Sequence, residues 1–266
     1  IVKMITGAVL LDHQDFDPHL TQDCAGAYQF GDRVFGCWLE QGHGKIDLTS
    51  AITQSCDVYF YRTIHYYDLD KLSKYFKKFG FGALTHVDIE GESKGIVPTT
   101  DYMNKRYGRF GWSTGALLNF SIGQGEILVT PMQVLNYTNI LASRGITSKP
   151  HFVMSEILSK NKDPLLPAED WDRITFDMEQ VVIHPKGTGK SANPLVNGAH
   201  VYGKTGTAEN PHGEDHAWFI GWMDFLDNKY SIVVLLENAG SGGAIAAPIA
   251  RQVFNDIINL NSLAAK

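Results

Sequence analysis

An α+β fold is predicted from the order of patterns along the chain: helical periodicities fill its first two-thirds, strand-like runs close it, and no internal repeat relates the two. The 266 residues, 44% apolar and 20% charged, have globular composition and can bury one sizeable core, so residues 1–266 read as a single domain. The net charge of -6, with no cationic run longer than Lys77-Lys78, argues against nucleic acid as a partner. No apolar run approaches the roughly 18 residues of a membrane span. Ile1 to Leu11 is broken by Lys3 and followed by no cleavage-site pattern.

Met4, Ile5, Ala8, Val9 and Leu11 form the stripe of a first helix that His13-Gln14-Asp15 ends. It starts without a cap, which places its true beginning upstream. Thr21 to Lys45 is polar and glycine-rich, a long loop or small subdomain that needs a staple. Asp47 caps a helix reaching Ser55, with Leu48, Ala51 and Ile52 as its buried face. A further helical run spans Val58 to Ile64, and an amphipathic one runs from Asp70, its expected cap, to Phe79, stopping at Gly80. Irregular chain is expected from Gly80 to about Leu118. Thr130 caps, and Pro131 opens, a helix to about Ser143. Lys160 to Asp170 reads as a polar loop and Met178 to Ile183 as helix. Strands are expected over His216–Trp222 and Tyr230–Glu237, then a closing helix from about Ala244 to Leu260.

Before those strands lies Val201-Tyr202-Gly203-Lys204-Thr205-Gly206-Thr207-Ala208-Glu209, a short strand whose glycines leave the backbone bare around Lys204-Thr205. An extended peptide can add itself there as a strand, with Lys204, Thr205 and Thr207 offering one positive charge and two hydroxyls to a carboxylate. A plain glycine-flanked hairpin strand is the competing reading. Gly187-Thr188-Gly189-Lys190-Ser191 imitates the end of a phosphate-binding loop, but His184 stands where the first glycine belongs and no apolar strand leads into a helix. Ser159-Lys160-Asn161-Lys162 lies in a charged loop with nothing to bury a catalytic lysine. Lys3, at the head of an apolar helix, is better placed to act as a base, although an exposed terminal lysine would look the same in isolation.

Lys3, Ser55-Cys56-Asp57 and Lys204-Thr205-Gly206 follow the order and rough spacing of Ser-x-x-Lys, Ser-x-Asn and Lys-Thr-Gly motifs. With Gln54 to Tyr61, Gly123-Gln124-Gly125, Thr130-Pro131, His216-Ala217-Trp218-Phe219-Ile220-Gly221 and Ala247-Pro248-Ile249-Ala250, nearly the whole chain resembles the transpeptidase domain of class B penicillin-binding proteins, particularly the elongation-type penicillin-binding protein 2. The resemblance implies the penicillin-binding protein/β-lactamase-like fold, an antiparallel sheet flanked by helices, with the N-terminal strands absent here and the cleft between sheet edge and helices. The nucleophilic serine belongs one position before Ile1. Asp57 stands where the general motif has asparagine.

The activity implied is a peptidoglycan D,D-transpeptidase. The serine attacks the D-Ala–D-Ala carbonyl of a stem peptide, Lys3 takes its proton, and Ser55 relays a proton to the leaving amine. The Thr207 N–H completes an oxyanion hole, and Lys204, Thr205, Gly206 and Thr207 bind the terminal carboxylate. β-Lactams stop at the acyl stage, since neither Glu126 nor Glu209 has the setting of a deacylating glutamate. The competing readings are a penicillin-sensing or non-catalytic interaction domain and a D,D-carboxypeptidase or β-lactamase-type hydrolase. The resemblance also implies a periplasmic domain, an inner-membrane anchor upstream, and a membrane glycan polymerase as partner. Lys3, Ser55 and Lys204 are expected to converge at the main cleft, with the Lys3 amine within hydrogen-bond reach of Ser55 and Lys204 across from it.

Three cysteines cannot all pair internally, which leaves a free thiol, an intermolecular bridge or a metal. The spacing Cys24-x12-Cys37-x5-His43-x12-Cys56 supplies three thiolates and an imidazole, a full tetrahedral zinc shell. One disulfide plus a buried thiol is the alternative that an oxidising compartment favours. It would leave a lone sulfur without a use for His43, and some family relatives place aspartates with His and Cys at matching positions. A structural zinc with no open position is therefore expected, tying residues 21–56 together beside Ser55.

Overall fold

A computed structural model describes residues 1–148, 150–153, 160–162 and 165–264. The chain runs α1 (Lys3–Leu11), β1 (Gln22–Cys24), β2 (Ala27–Phe30), β3 (Arg33–Gly36), β4 (Gly44–Ile46), α2 (Leu48–Thr53), α3 (Asp57–Arg62), α4 (Leu69–Lys78), α5 (Thr100–Tyr107), α6 (Gly115–Ile122) and α7 (Pro131–Ala142). It continues through β5 (Ile146–Ser148), β6 (Lys160–Lys162), α8 (Ala168–Ile183), β7 (Ala199–Ala208), β8 (His216–Phe225), β9 (Asn228–Leu236) and α9 (Ala247–Ala264). The predicted α+β class is what the chain forms.

α1 is enclosed on every side from Lys3 to Leu10, as befits a helix with almost no polar face. The Thr21 to Lys45 segment is built of two small antiparallel pairs, β1 with β4 and β2 with β3. Asp47 caps α2 as expected, its carboxylate accepting from the Ser50 N–H at 2.8 Å. The cap of α4 is Asp68 rather than Asp70: its extended backbone lets the side chain accept from the Lys71 N–H, while Asp70 accepts from the Thr100 N–H at 2.9 Å. Thr130 and Gln133 close a reciprocal capping box at the start of α7.

Several expectations fail locally. The Gly80 to Leu118 region contains α5 and the first half of α6; α5 buries only Met103, so it carries no apolar stripe to read. α8 begins at Ala168, ten residues before Met178, because its acidic first turn sits at the positive helix end while Trp171, Ile174 and Met178 turn inward. Lys160–Lys162 pairs with β5 instead of forming a loop. Ser159 lies outside the described residues.

The sheet has the order β7-β8-β9, antiparallel throughout, with β7 at an edge. Alternation sorts its two faces. Ile220 and Trp222 face the helical core, while Ala217, Phe219, Met223 and Phe225 pack under α9 with Ala250 and Phe254. Because Lys204 lies opposite Ile220 and Thr205 opposite Phe219, neighbouring residues of β7 point into different environments. Gly242, in the π-helical turn Gly242–Ala246 before α9, lies so near the sheet that a Cβ would meet the Trp218 and Gly206 carbonyl oxygens at 2.2 and 2.3 Å. Among the described residues no helix is long and apolar enough to cross a membrane.

Candidate active site and metal centre

The Lys3 amine is the hub. It donates to the Ser55 carbonyl at 2.7 Å, contacts the Ser55 hydroxyl at 3.1 Å, and pairs with Asp57 Oδ1 at 2.7 Å, with 6% of the lysine side chain and 14% of the aspartate side chain exposed. α1 brings Lys3 from the core, while Ser55 occupies the break between α2 and α3. There its backbone is left-handed, φ +57°, turning carbonyl and hydroxyl toward the same amine. The other Asp57 oxygen accepts the Trp38 N–H at 3.1 Å, and the Trp38 indole donates to the Gln54 carbonyl at 2.9 Å. The expected approach of Lys3 to Ser55 is thus present.

A cleft of about 820 Å³ opens over these groups. Thr205, Gly206 and Thr207 of β7 form one wall, and Trp38, Asn119 and Gln124 stand among the groups lining the rest. Ile1 lines it as well; a Cβ on Gly206 would come within 2.9 Å of the Ile1 side chain and 3.2 Å of its nitrogen, so glycine lets the start of α1 lie against the strand. Lys204 reaches the region from within. Its fully buried amine donates to the Thr205 carbonyl at 3.1 Å, and burial first, then the Lys3 charge, hold it well below the ordinary lysine range. The fixed charge that the sequence had Lys204 offer directly to a carboxylate is therefore not on the cleft wall. The β7 side chains that line it there belong to Thr205 and Thr207. Thr205 Oγ1 meets Thr188 Oγ1 at 2.7 Å, and Gln124 donates to the Thr207 carbonyl at 3.3 Å.

Thr188 and Trp38 were missed from sequence. Thr188 belongs to the glycine-framed segment dismissed as a phosphate loop, and a threonine held there between helix and strand was its only mark. Trp38 is identified only by its fold neighbours.

Cys24, Cys37, His43 and Cys56 converge, their ligand atoms lying within 4.8 Å of one another. His43 Nδ1 is 3.5 Å from Cys24 Sγ and 3.6 Å from Cys37 Sγ, and the Cys37 and Cys56 sulfurs are 4.0 Å apart. Tetrahedral zinc, with bonds of about 2.3 Å to sulfur and about 2.0 Å to nitrogen, spaces its ligands by roughly 3.5–3.8 Å. The donor set fits a zinc ion in both chemistry and spacing. All three cysteines are free and buried. The Asp57 N–H donates to Cys37 and the Tyr59 N–H to Cys56, both at 3.4 Å, a pattern that suits sulfur carrying negative charge. The Cys37 thiol is held far below the usual range, chiefly because Cys56 donates to it, while that same bond and burial push the Cys56 thiol up.

The family described as the penicillin binding protein transpeptidase domain matches residues 1–255. The peptidoglycan D,D-transpeptidase MrdA of Haemophilus influenzae is 36% identical over 250 residues, which are 85% of this chain and 38% of that protein. The chain thus spans well under half of that curated relative. The solved penicillin-binding protein PBP2 of Helicobacter pylori superposes with a TM-score of 0.84 at 32% identity, over 96% of this chain and 48% of that one. A structure describing polymerization and crosslinking by a peptidoglycan synthase complex superposes with a TM-score of 0.82 at 26% identity, over 95% and 44% of the two chains. By the match along its length and by the order in which Lys3, Ser55 and Lys204-Thr205-Gly206 meet around one cleft, the chain belongs to the penicillin-binding protein transpeptidase family.

Proposed function

We propose that this domain cross-links peptidoglycan as a serine D,D-transpeptidase. The observation that carries the proposal is the Lys3 amine, held by Ser55 and Asp57 beside Ile1 and the open edge of β7. A serine joined to Ile1 attacks the penultimate D-Ala carbonyl; its proton passes to Lys3, and Ser55 Oγ conveys a proton to the departing D-Ala nitrogen. The C–N bond breaks as the serine ester forms. The amine of a second stem peptide then attacks that ester, loses a proton, and leaves an amide cross-link with free serine. The Thr207 N–H stabilises the oxyanion, and the Thr188 and Thr205 hydroxyls take the terminal carboxylate, with Lys204 supporting Thr205 from behind.

Cys24, Cys37, His43 and Cys56 hold a zinc ion in this reading. When bound, it supplies a closed structural link rather than a reacting centre. Cys37 and Cys56 fix the start of α3, and the neighbouring Trp38 N–H holds Asp57 against Lys3. The whole protein works in the periplasm from a membrane anchor, alongside a glycan polymerase, and is a β-lactam target. This last reading draws on the family and on the relative solved in a synthase complex.

Labelled penicillin added to the whole protein is expected to leave a stable adduct on the residue before Ile1, and paired stem peptides are expected to release D-Ala with one cross-link each. An adduct without cross-linking supports a sensing domain instead. Release of D-Ala to water alone identifies a carboxypeptidase, and rapid penicillin turnover a β-lactamase.

A further inference from the structure

Arg33 stands where the cleft continues beyond β7. Together with Phe35 and Asn119 it lines both the 820 Å³ cleft and a second opening of about 640 Å³ between the β2–β3 hairpin and α5–α6. Its guanidinium lies over the Phe35 ring, 5.7 Å from the centroid. Phe35 in turn packs on Tyr61 at 5.7 Å, so the aromatic seat is anchored to α3. Among the described residues no carboxylate forms an ion pair with Arg33. A cation of this type, seated on a ring and unpaired, suits bidentate recognition of a carboxylate.

The direction of the substrate decides which carboxylate that is. A peptide whose terminal carboxylate meets Thr188 and Thr205, and which adds antiparallel to β7, sends its preceding residues past Thr207 and Glu209. Tyr61 lines the same cleft as Thr207 and Glu209 and packs on Phe35, so the aromatic seat of Arg33 belongs to the cleft that stretch enters. Glu209 and Asp215 line the main cleft and disfavour a second negative group there, Asp57 being paired with Lys3. In the second opening, Glu126 is already engaged by the Tyr107 hydroxyl at 2.5 Å, and Asp32 faces that opening alone. Arg33 is the cation at the exit.

We propose that Arg33 is a specificity-determining residue that pairs with a second carboxylate of the donor stem peptide, upstream of its D-Ala–D-Ala end. The proposal rests on the transpeptidase reading, whose failure the experiment separates. Two donor peptides, identical except that the upstream carboxylate is free in one and an amide in the other, are compared by kcat/KM in the whole protein. The wild-type ratio is expected to favour the free acid by about fivefold to tenfold, as for a partly solvated charge pair. In Arg33→Met, which keeps an apolar contact with Phe35, the ratio falls toward one, and Arg33→Lys restores part of it. A wild-type ratio of one, or the same ratio in Arg33→Met, overturns the proposal while leaving transpeptidation intact. Wild-type protein that consumes neither donor overturns the transpeptidase reading, and this inference with it.

Discussion

Ser55 adopts a backbone that an L-residue visits at a cost of about 1 kcal/mol, and it does so where carbonyl and hydroxyl must both meet one amine. Geometry and catalysis therefore make opposite demands on this position. Ser55→Ala and Ser55→Gly are each expected to slow acylation about 10²- to 10⁴-fold, the range of a lost proton relay. Ser55→Gly, free of the left-handed penalty, should melt above Ser55→Ala; labelled-penicillin kinetics beside thermal melts check both halves. Thr188→Val removes the hydroxyl 2.7 Å from Thr205 Oγ1. It is expected to lower kcat/KM for D-Ala–D-Ala donors about tenfold while leaving the melting temperature within a few degrees. A peptide ester without the terminal carboxylate should be much less affected, and an equal loss would remove Thr188 from carboxylate recognition. Lys3, Ser55 and Thr205 were legible because each belongs to a short motif whose order is informative. Thr188 and Trp38 are placed by partners 16 to 19 residues away, and no local spacing announces that.

The β1–β4 and β2–β3 pairs are too short to stand alone, with three or four residues to a strand. Their staple is the Cys24, Cys37, His43, Cys56 cluster, which joins both pairs to the start of α3. If the cluster holds zinc as proposed, a chelator, like Cys24→Ser, is expected to raise hydrogen exchange across residues 21–45 and to slow acylation, with α7 and β8 still protected. Freshly purified protein should carry one zinc per chain by elemental analysis; its absence, with residues 21–45 equally protected, would refute the staple. This segment shows what a sequence conveys about an element without a stripe. The cysteines and histidine signalled a staple, whereas strands of this length left no readable alternation. α5 was invisible for a related reason: with Met103 alone buried, its helix rests on the Thr99 cap, whose hydroxyl accepts the Tyr102 N–H at 3.1 Å. Where one face was clearly apolar or capped, as in α1, α2 and α7, the reading held.

The helical core and the sheet meet through α8, which packs on α2 on one side and on β7 on the other. Asp177 sits in that joint, fully buried, with neither oxygen in a hydrogen bond among the described residues. Burial raises its carboxyl from 3.8 to about 7; the Arg173 charge offsets part of this, and Asp47 adds to it. The sign follows from where the proton is held more tightly. Below about 4 the carboxyl is neutral in folded and unfolded chains alike, and its ionisation costs nothing. As pH rises to about 7 the unfolded chain ionises first, so stability falls, and above that the loss stays constant at up to ~4 kcal/mol. The same pH rise places charge beneath α2, the helix that leads into Ser55. Denaturant unfolding between pH 5 and 8 should therefore show falling stability in the wild-type domain and a flatter profile in Asp177→Asn. The substitution lowers stability at pH 5 by leaving a buried amide with few partners, yet it narrows the gap as the wild-type carboxyl ionises. Parallel profiles for the two proteins would mean that the joint between helices and sheet does not titrate through Asp177.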